Sequence, residues 1–170
     1  VIKMMNIGNS KISKLTLAGI LAGAGVLLSG IYFPFGPTRC FPFQHTINVI
    51  SGILLGPWWA LGVAFTTSTI RVLTGMGTLF AFPGSIPGAM MVGFAFQMTK
   101  KDWAALAEPL GTGPVGATVS ALILGPAIGK SAGLLALQGA FLASSIPGSV
   151  LGLVFMLALR KTGLIAKKTK

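Results

Sequence analysis

Acidic residues are almost missing from this chain. Asp102 and Glu108 are the only two, against 13 lysines and arginines. Cys40 and His45 are each the sole residue of their kind. Each scarcity excludes a class of chemistry. A lone cysteine forms no intramolecular disulfide and no cysteine cluster for a metal. One histidine and two acids do not make the ligand sets that metal-dependent transferases and proteases use. No Gly-x-x-x-x-Gly-Lys-Ser/Thr run occurs, so a nucleotide-cradling loop of that type is excluded. No catalytic residue, metal or cofactor is expected. Charge itself is scarce, at 9%, where a soluble domain carries about 25%.

Apolar residues fill the gap. They make up 53% of the 170 residues, and the mean hydropathy is +0.85. The expected fold is an all-α integral membrane protein, one membrane domain over 1–170, with six transmembrane helices at roughly 20 residues each. The spans read as about 15–32, 45–55, 58–73, 84–98, 104–125 and 134–159. Lys3, Lys11 and Lys14 before an apolar run resemble a signal peptide. The run continues through Gly30-Ile31-Tyr32-Phe33 without a small-residue cleavage site, which favours a first membrane helix. Residues 33–44 hold three prolines, Pro34, Pro37 and Pro42, and read as a loop. Gly56-Pro57 reads as a turn, with Pro57 opening the third span. Residues 74–83 read as a second loop. The tetrapeptide Ser-Ile-Pro-Gly occurs at 85–88 and at 145–148, too short a repeat to establish duplication.

The net charge of +11 would suggest nucleic acid in a soluble protein. In a membrane protein, loop charges set topology instead, and no nucleic-acid partner is expected. With six spans, ten of the 13 positive residues fall on the side of the two termini: Lys3, Lys11, Lys14, Lys100, Lys101, Arg160, Lys161, Lys167, Lys168 and Lys170. The positive-inside rule then places both termini in the cytoplasm and the 33–44, 74–83 and 126–133 loops outside. Asp102, beside Lys100 and Lys101, reads as a solvated turn residue. Glu108 lies about one turn into the fifth span, an expensive place for an ionisable group, and its depth suggests a structural or coupling role.

Polar residues gather in Arg39-Cys-Phe-Pro-Phe-Gln-His45-Thr-Ile-Asn48. His45, read as opening the second span at the outer face, and Asn48 are three apart and share a helical face. With Gln44 and Arg71 they can orient a small polar heterocycle, and Phe41, Phe43, Phe80 and Phe82 can sandwich its ring. Ser85 and Gln138 complete the candidate substrate-binding set. Two readings stay open for His45 (a ligand contact or an interface residue) and for Arg71 (a binding cation or a topology charge). Ala18 and Ala22 are four apart on the first helix, which suits close helix packing within the chain or against a partner.

The motifs Cys40-Phe-Pro-x-Gln-His45-x-x-Asn48, Leu55-Gly-Pro-Trp58, Phe82-Pro-Gly-Ser85 and Lys161-Thr-Gly-Leu164 resemble the ThiW group of S components. S components are the substrate-binding subunits of energy-coupling-factor (ECF) vitamin transporters. The resemblance spans about 15–164. It implies an S-component-like six-helix bundle in the bacterial or archaeal plasma membrane. It implies capture of hydroxyethylthiazole, the thiazole precursor of thiamin, and docking on a shared ECF transmembrane subunit driven by two ATPase subunits. It further implies that Ala18 and Ala22 form the docking surface and that outer loops carrying Phe41, Phe43 and Phe80 gate the pocket. Another vitamin, such as thiamin, remains open as the ligand. A lipid-modifying membrane enzyme would need acids or histidines clustered on the inner face, and a channel would need a continuous polar path; neither pattern occurs.

Overall fold

A computed structural model describes residues 10–35, 38–130, 133–163 and 165. Lys3, Pro37, Leu164, Lys167, Lys168 and Lys170, used above, lie outside the described residues. Helix α1 spans Lys11–Leu28, α2 Pro42–Leu55, α3 Pro57–Leu73 and α4 Ile86–Thr99. Helix α5 is the helical stretch Asp102–Ala127, and α6 spans Leu134–Lys161. A strand pair, β1 Phe33–Phe35 and β2 Thr38–Cys40, joins α1 to α2, and a 3-10 turn at Leu79–Ala81 precedes α4.

The expected element boundaries shift for local reasons. Helix α1 starts four residues earlier than expected, because the Ser10 side chain caps it by accepting from the Ser13 amide. The expected 33–44 loop is instead an antiparallel hairpin, with Phe33 opposite Cys40 and Pro34 opposite Arg39. Pro42 is not a loop residue but opens α2, where its missing N–H does no harm. Helix α5 departs most from regularity. It opens as a 3-10 turn at Asp102–Ala107 and widens into π-helical turns at Gly111–Gly116 and Ser120–Leu124. Pro114 lies inside the first of these, and without an N–H it breaks the regular ladder there.

Four helical stretches are long and apolar enough to cross a membrane by length and composition: Lys11–Leu28, Leu79–Thr99, Asp102–Ala127 and Leu134–Lys161. Helix α2, with 14 residues, and α3, with 17, fall short of that measure. Helix α2 is nonetheless the centre of the bundle. Its residues from Gln44 to Ile53 are all buried, between α6, α4, α1 and α3. Ile47, Val49, Ile50 and Ile53 pack with Leu21 and Ala22 of α1, Val63 of α3, Val92 and Phe96 of α4, and Leu153 and Met156 of α6. A helix sheathed in this way needs no lipid-facing stripe of its own. The outside is apolar, with Leu27 82% and Met98 85% exposed. Such an exterior marks a membrane-embedded protein.

At the end of the bundle that carries Lys100 and Lys101, Asp102 is not the solvated residue the sequence suggested. It is buried, and it accepts from Arg160 Nε at 2.5 Å and Nη2 at 2.7 Å. This fork clamps the start of α5 to the end of α6. Asp102→Asn removes a charge-assisted pair, and the expected result is a loss of about 2 kcal/mol of stability. Chemical unfolding in detergent micelles checks this; an unchanged midpoint would show that the clamp contributes nothing.

Candidate functional site

The end of the hairpin, at the buried Cys40, and the start of α2 are anchored in the bundle. Cys40 Sγ meets the Ala140 carbonyl at 3.3 Å, and the Phe41 amide donates to Ser144 Oγ at 2.8 Å. Burial pushes the Cys40 thiol up from its ordinary range, so it serves as a small packing group. One turn further along α6, Gly148 faces the Pro42 carbonyl and the His45 Cβ. Gly148 is near the middle of the 28-residue α6, so His45 is level with that middle. The expectation that His45 opens α2 at the outer face is therefore corrected. The hairpin precedes α2 at this end of the bundle, and α2 begins beside the middle of α6.

At that depth His45 meets Glu108. His45 Nδ1 lies 2.7 Å from Glu108 Oε1. The same oxygen accepts from Asn48 Nδ2 at 3.0 Å and from Thr112 Oγ1 at 2.8 Å. Glu108 is fully buried, and its Oε2 has no partner among the described residues. The helical spacing explains the convergence. His45 and Asn48 are three apart on α2, and Glu108 and Thr112 are four apart on α5, so each pair projects from one face. Asn48 is saturated by protein. Its Nδ2 also donates to the Ser85 carbonyl at 3.2 Å, and its Oδ1 accepts from Ser85 Oγ at 3.1 Å.

Two glycines make room for this cluster. A Cβ on Gly88 would stand 2.4 Å from Glu108 Oε1 and 2.3 Å from Thr112 Oγ1. A Cβ on Gly148 would stand 2.2 Å from the Pro42 carbonyl and 2.6 Å from His45 Cβ. These glycines end the two Ser-Ile-Pro-Gly segments. The short repeat therefore has a shared physical use: each copy lets one helix, α4 or α6, approach the buried pair closely.

Above the cluster lies a cavity of about 370 Å³. Its walls come from the hairpin and α2 (Arg39, Phe41, His45), the end of α3 and the following loop (Arg71, Gly75 to Thr78, Phe80), and α6 (Leu137, Phe141, Ser144). It lies at the opposite end of α6 from Arg160. His45 Nε2 makes no hydrogen bond within the described residues, so this nitrogen is free for a ligand. Arg71 is only 2% exposed. Its guanidinium stacks on the Phe41 ring at 4.1 Å, and its Nε has no hydrogen-bond partner among the described residues. Arg39 stacks on Tyr32 at 4.5 Å.

Of the sequence-predicted residues, His45, Arg71, Phe41 and Phe80 line the cavity. Gln44, Phe43 and Gln138 do not. Gln138 lies on α6 beside the wall-forming stripe of Leu137, Phe141 and Ser144. Phe82 packs on Phe65 with ring centres 5.5 Å apart. Ser85 and Asn48 do not line the cavity either; they are buried and bonded to each other. Ala22 is buried in the core and its carbonyl accepts from Thr67 Oγ1, while Ala18 packs against that core. The open side of α1 is that of Gly19 and Gly23, where an added Cβ meets nothing. Sequence reasoning missed Glu108 as the anchor of His45, and it missed Phe141. The spacing of Leu137, Phe141 and Ser144 is a helical stripe and was available as a signal; the depth of Glu108 was not.

No curated protein matches the sequence. A family model described as "Thiamine-precursor transporter protein (ThiW)" matches residues 15–162. That match covers the helices, the cavity walls and the buried cluster. The chain belongs to the ThiW family of thiamine-precursor transporters.

Proposed function

We propose that this chain is the substrate-capture subunit of an ECF-type importer for hydroxyethylthiazole. The observation that carries the reading is the cavity itself, with aromatic walls, His45, and an Arg71 whose Nε has no partner among the described residues. Its volume of about 370 Å³ is at the small end of ligand pockets and suits a single five-membered heterocycle. In this reading the thiazole ring lies against Phe41, Phe80 and Phe141. Glu108 holds the His45 Nδ1–H, which leaves Nε2 as an acceptor for the substrate hydroxyl. Asn48, Ser85 and Thr112 act as positioning residues for that pair.

The proposed topology has six crossings, both termini in the cytoplasm and the cavity facing outward. The short α2 and α3 cross because the other helices shelter them. Lys100, Lys101 and Arg160 at the far end support this orientation. Release to the cytoplasm then requires the shared transmembrane subunit and its two ATPase subunits. With Ala22 buried, the proposed docking face of α1 is the open side around Gly19 and Gly23, with Ala18 at its edge.

Direct titration of the purified protein with hydroxyethylthiazole and with thiamin, side by side, tests the assignment. Hydroxyethylthiazole is expected to bind more tightly; thiamin alone binding would reject it. His45→Ala is expected to weaken hydroxyethylthiazole binding about tenfold, the equivalent of one hydrogen bond. An unchanged affinity would confine His45 to holding the helices together.

A further inference from the structure

We infer that the cavity is built for an anionic ligand, a small heterocycle carrying a carboxylate or a phosphate monoester that Arg71 grips. This deepens the proposed function, and it borrows only the thiazole ring from that reading.

The argument starts from charge bookkeeping over the whole chain. Only two side-chain carboxylates exist, Asp102 and Glu108. Asp102 is held by Arg160 at the opposite end of the bundle. Glu108 accepts from His45, Asn48 and Thr112 and is not part of the cavity wall. No carboxylate side chain is left for Arg71. Yet Arg71 is 2% exposed and sits in the wall of the cavity. Its guanidinium makes no hydrogen bond to any described residue, and its Nε is fully enclosed without a partner.

A buried, unpaired charge is strongly unfavourable and persists in folded proteins only with a purpose. The surroundings fix this guanidinium in place. Phe41 covers one face at 4.1 Å. Gly77 closes in nearby, where an added Cβ would lie 3.8 Å from the guanidinium carbon. A planar fork held in this way matches the two oxygens of a carboxylate or phosphate. Arg39, also in the wall, adds a second positive charge. A neutral alcohol would satisfy at most one donor of the fork, whereas an anion neutralises it.

The test titrates the purified protein with five probes: hydroxyethylthiazole, its phosphate monoester, 4-methylthiazole-5-carboxylate, thiamin monophosphate and inorganic phosphate. At least one anionic thiazole is expected to bind at least about tenfold more tightly than the alcohol, and the two anionic arms distinguish carboxylate from phosphate. Arg71→Gln is expected to remove that preference, weakening the anionic thiazoles by at least about tenfold more than the alcohol, and Arg71→Lys to retain part of it. The wild-type series needs no variant to fold. If the alcohol binds as tightly as both anions, or if Arg71→Gln keeps the preference, the inference fails while the thiazole reading stands. If no thiazole binds but thiamin monophosphate does, dependent on Arg71, the thiazole reading fails and the anion inference holds.

Discussion

Glu108→Ala is expected to abolish thiazole binding and to destabilise the protein by about 3–5 kcal/mol, because several buried donors lose their one acceptor together. Three donors converge on Glu108 Oε1. Without it, His45 Nδ1, the Thr112 hydroxyl and one Asn48 amide hydrogen are buried with no acceptor. The His45 ring also loses the contact that aims it, so binding fails along with stability. Glu108→Gln is the informative companion. Its carbonyl oxygen can replace Oε1, and its amide would occupy the place of Oε2, which has no partner among the described residues. The expected loss is about 1–2 kcal/mol, because the acceptor survives without its charge. Unfolding in detergent and ligand titration measure the two effects separately. A wild-type profile for Glu108→Ala would overturn the assignment of this cluster as the floor of the site. His45, Asn48 and Thr112 share this acceptor, so their substitutions will not add independently of Glu108.

The second large effect is steric. Gly88→Ala and Gly148→Ala are each expected to lose about 1–3 kcal/mol through overpacking, with Gly148→Ala the worse of the two. Its added methyl group would meet a backbone carbonyl, Pro42, at 2.2 Å, and a backbone carbonyl cannot swing aside. At Gly88 the nearest atoms belong to the Thr112 and Glu108 side chains, which can move only by breaking their hydrogen bond. Gly19→Ala and Gly23→Ala provide the control. Nothing lies within 4 Å of either added Cβ, so helix propensity alone acts and each should be neutral or stabilising by up to about 1 kcal/mol. Thermal unfolding of the four variants in one detergent separates the classes. Equal midpoints would mean that the helices do not approach as closely as described.

Much of the architecture was readable from residue order. Proline at 57 and 42 marks helix starts, but Pro42 sits in a second Phe-Pro-Phe after the one at 33–35 and reads as more of the same loop. The hairpin Phe33–Cys40 was not legible. Its strands are three residues each, too short to show alternation, and Pro34 argues against a strand. The π-helical turns of α5 follow from proline and glycine content, yet their positions depend on what packs alongside. His45 and Arg71 were legible as site candidates because rare polar residues in an apolar chain stand out. Gln44, Asn48 and Ser85 stood out for the same reason, but the structure shows Asn48 and Ser85 bonded to each other, and composition cannot reveal whether a polar group is already satisfied.

By itself the sequence determined that this is an apolar helical protein without the residue sets for metal or nucleotide-loop chemistry, with a net charge of +11. Those properties are sums over residues, and summation needs no coordinates. Only the tertiary structure decided how deep each polar residue sits. Depth counted along the chain assumed that each helix starts at a surface. The hairpin ends with Cys40 against α6, so α2 starts beside Gly148 near the middle of that helix, and this brings His45 and Asn48 to Glu108. The same packing leaves Arg71 buried without a protein carboxylate, which no count of charges could have located.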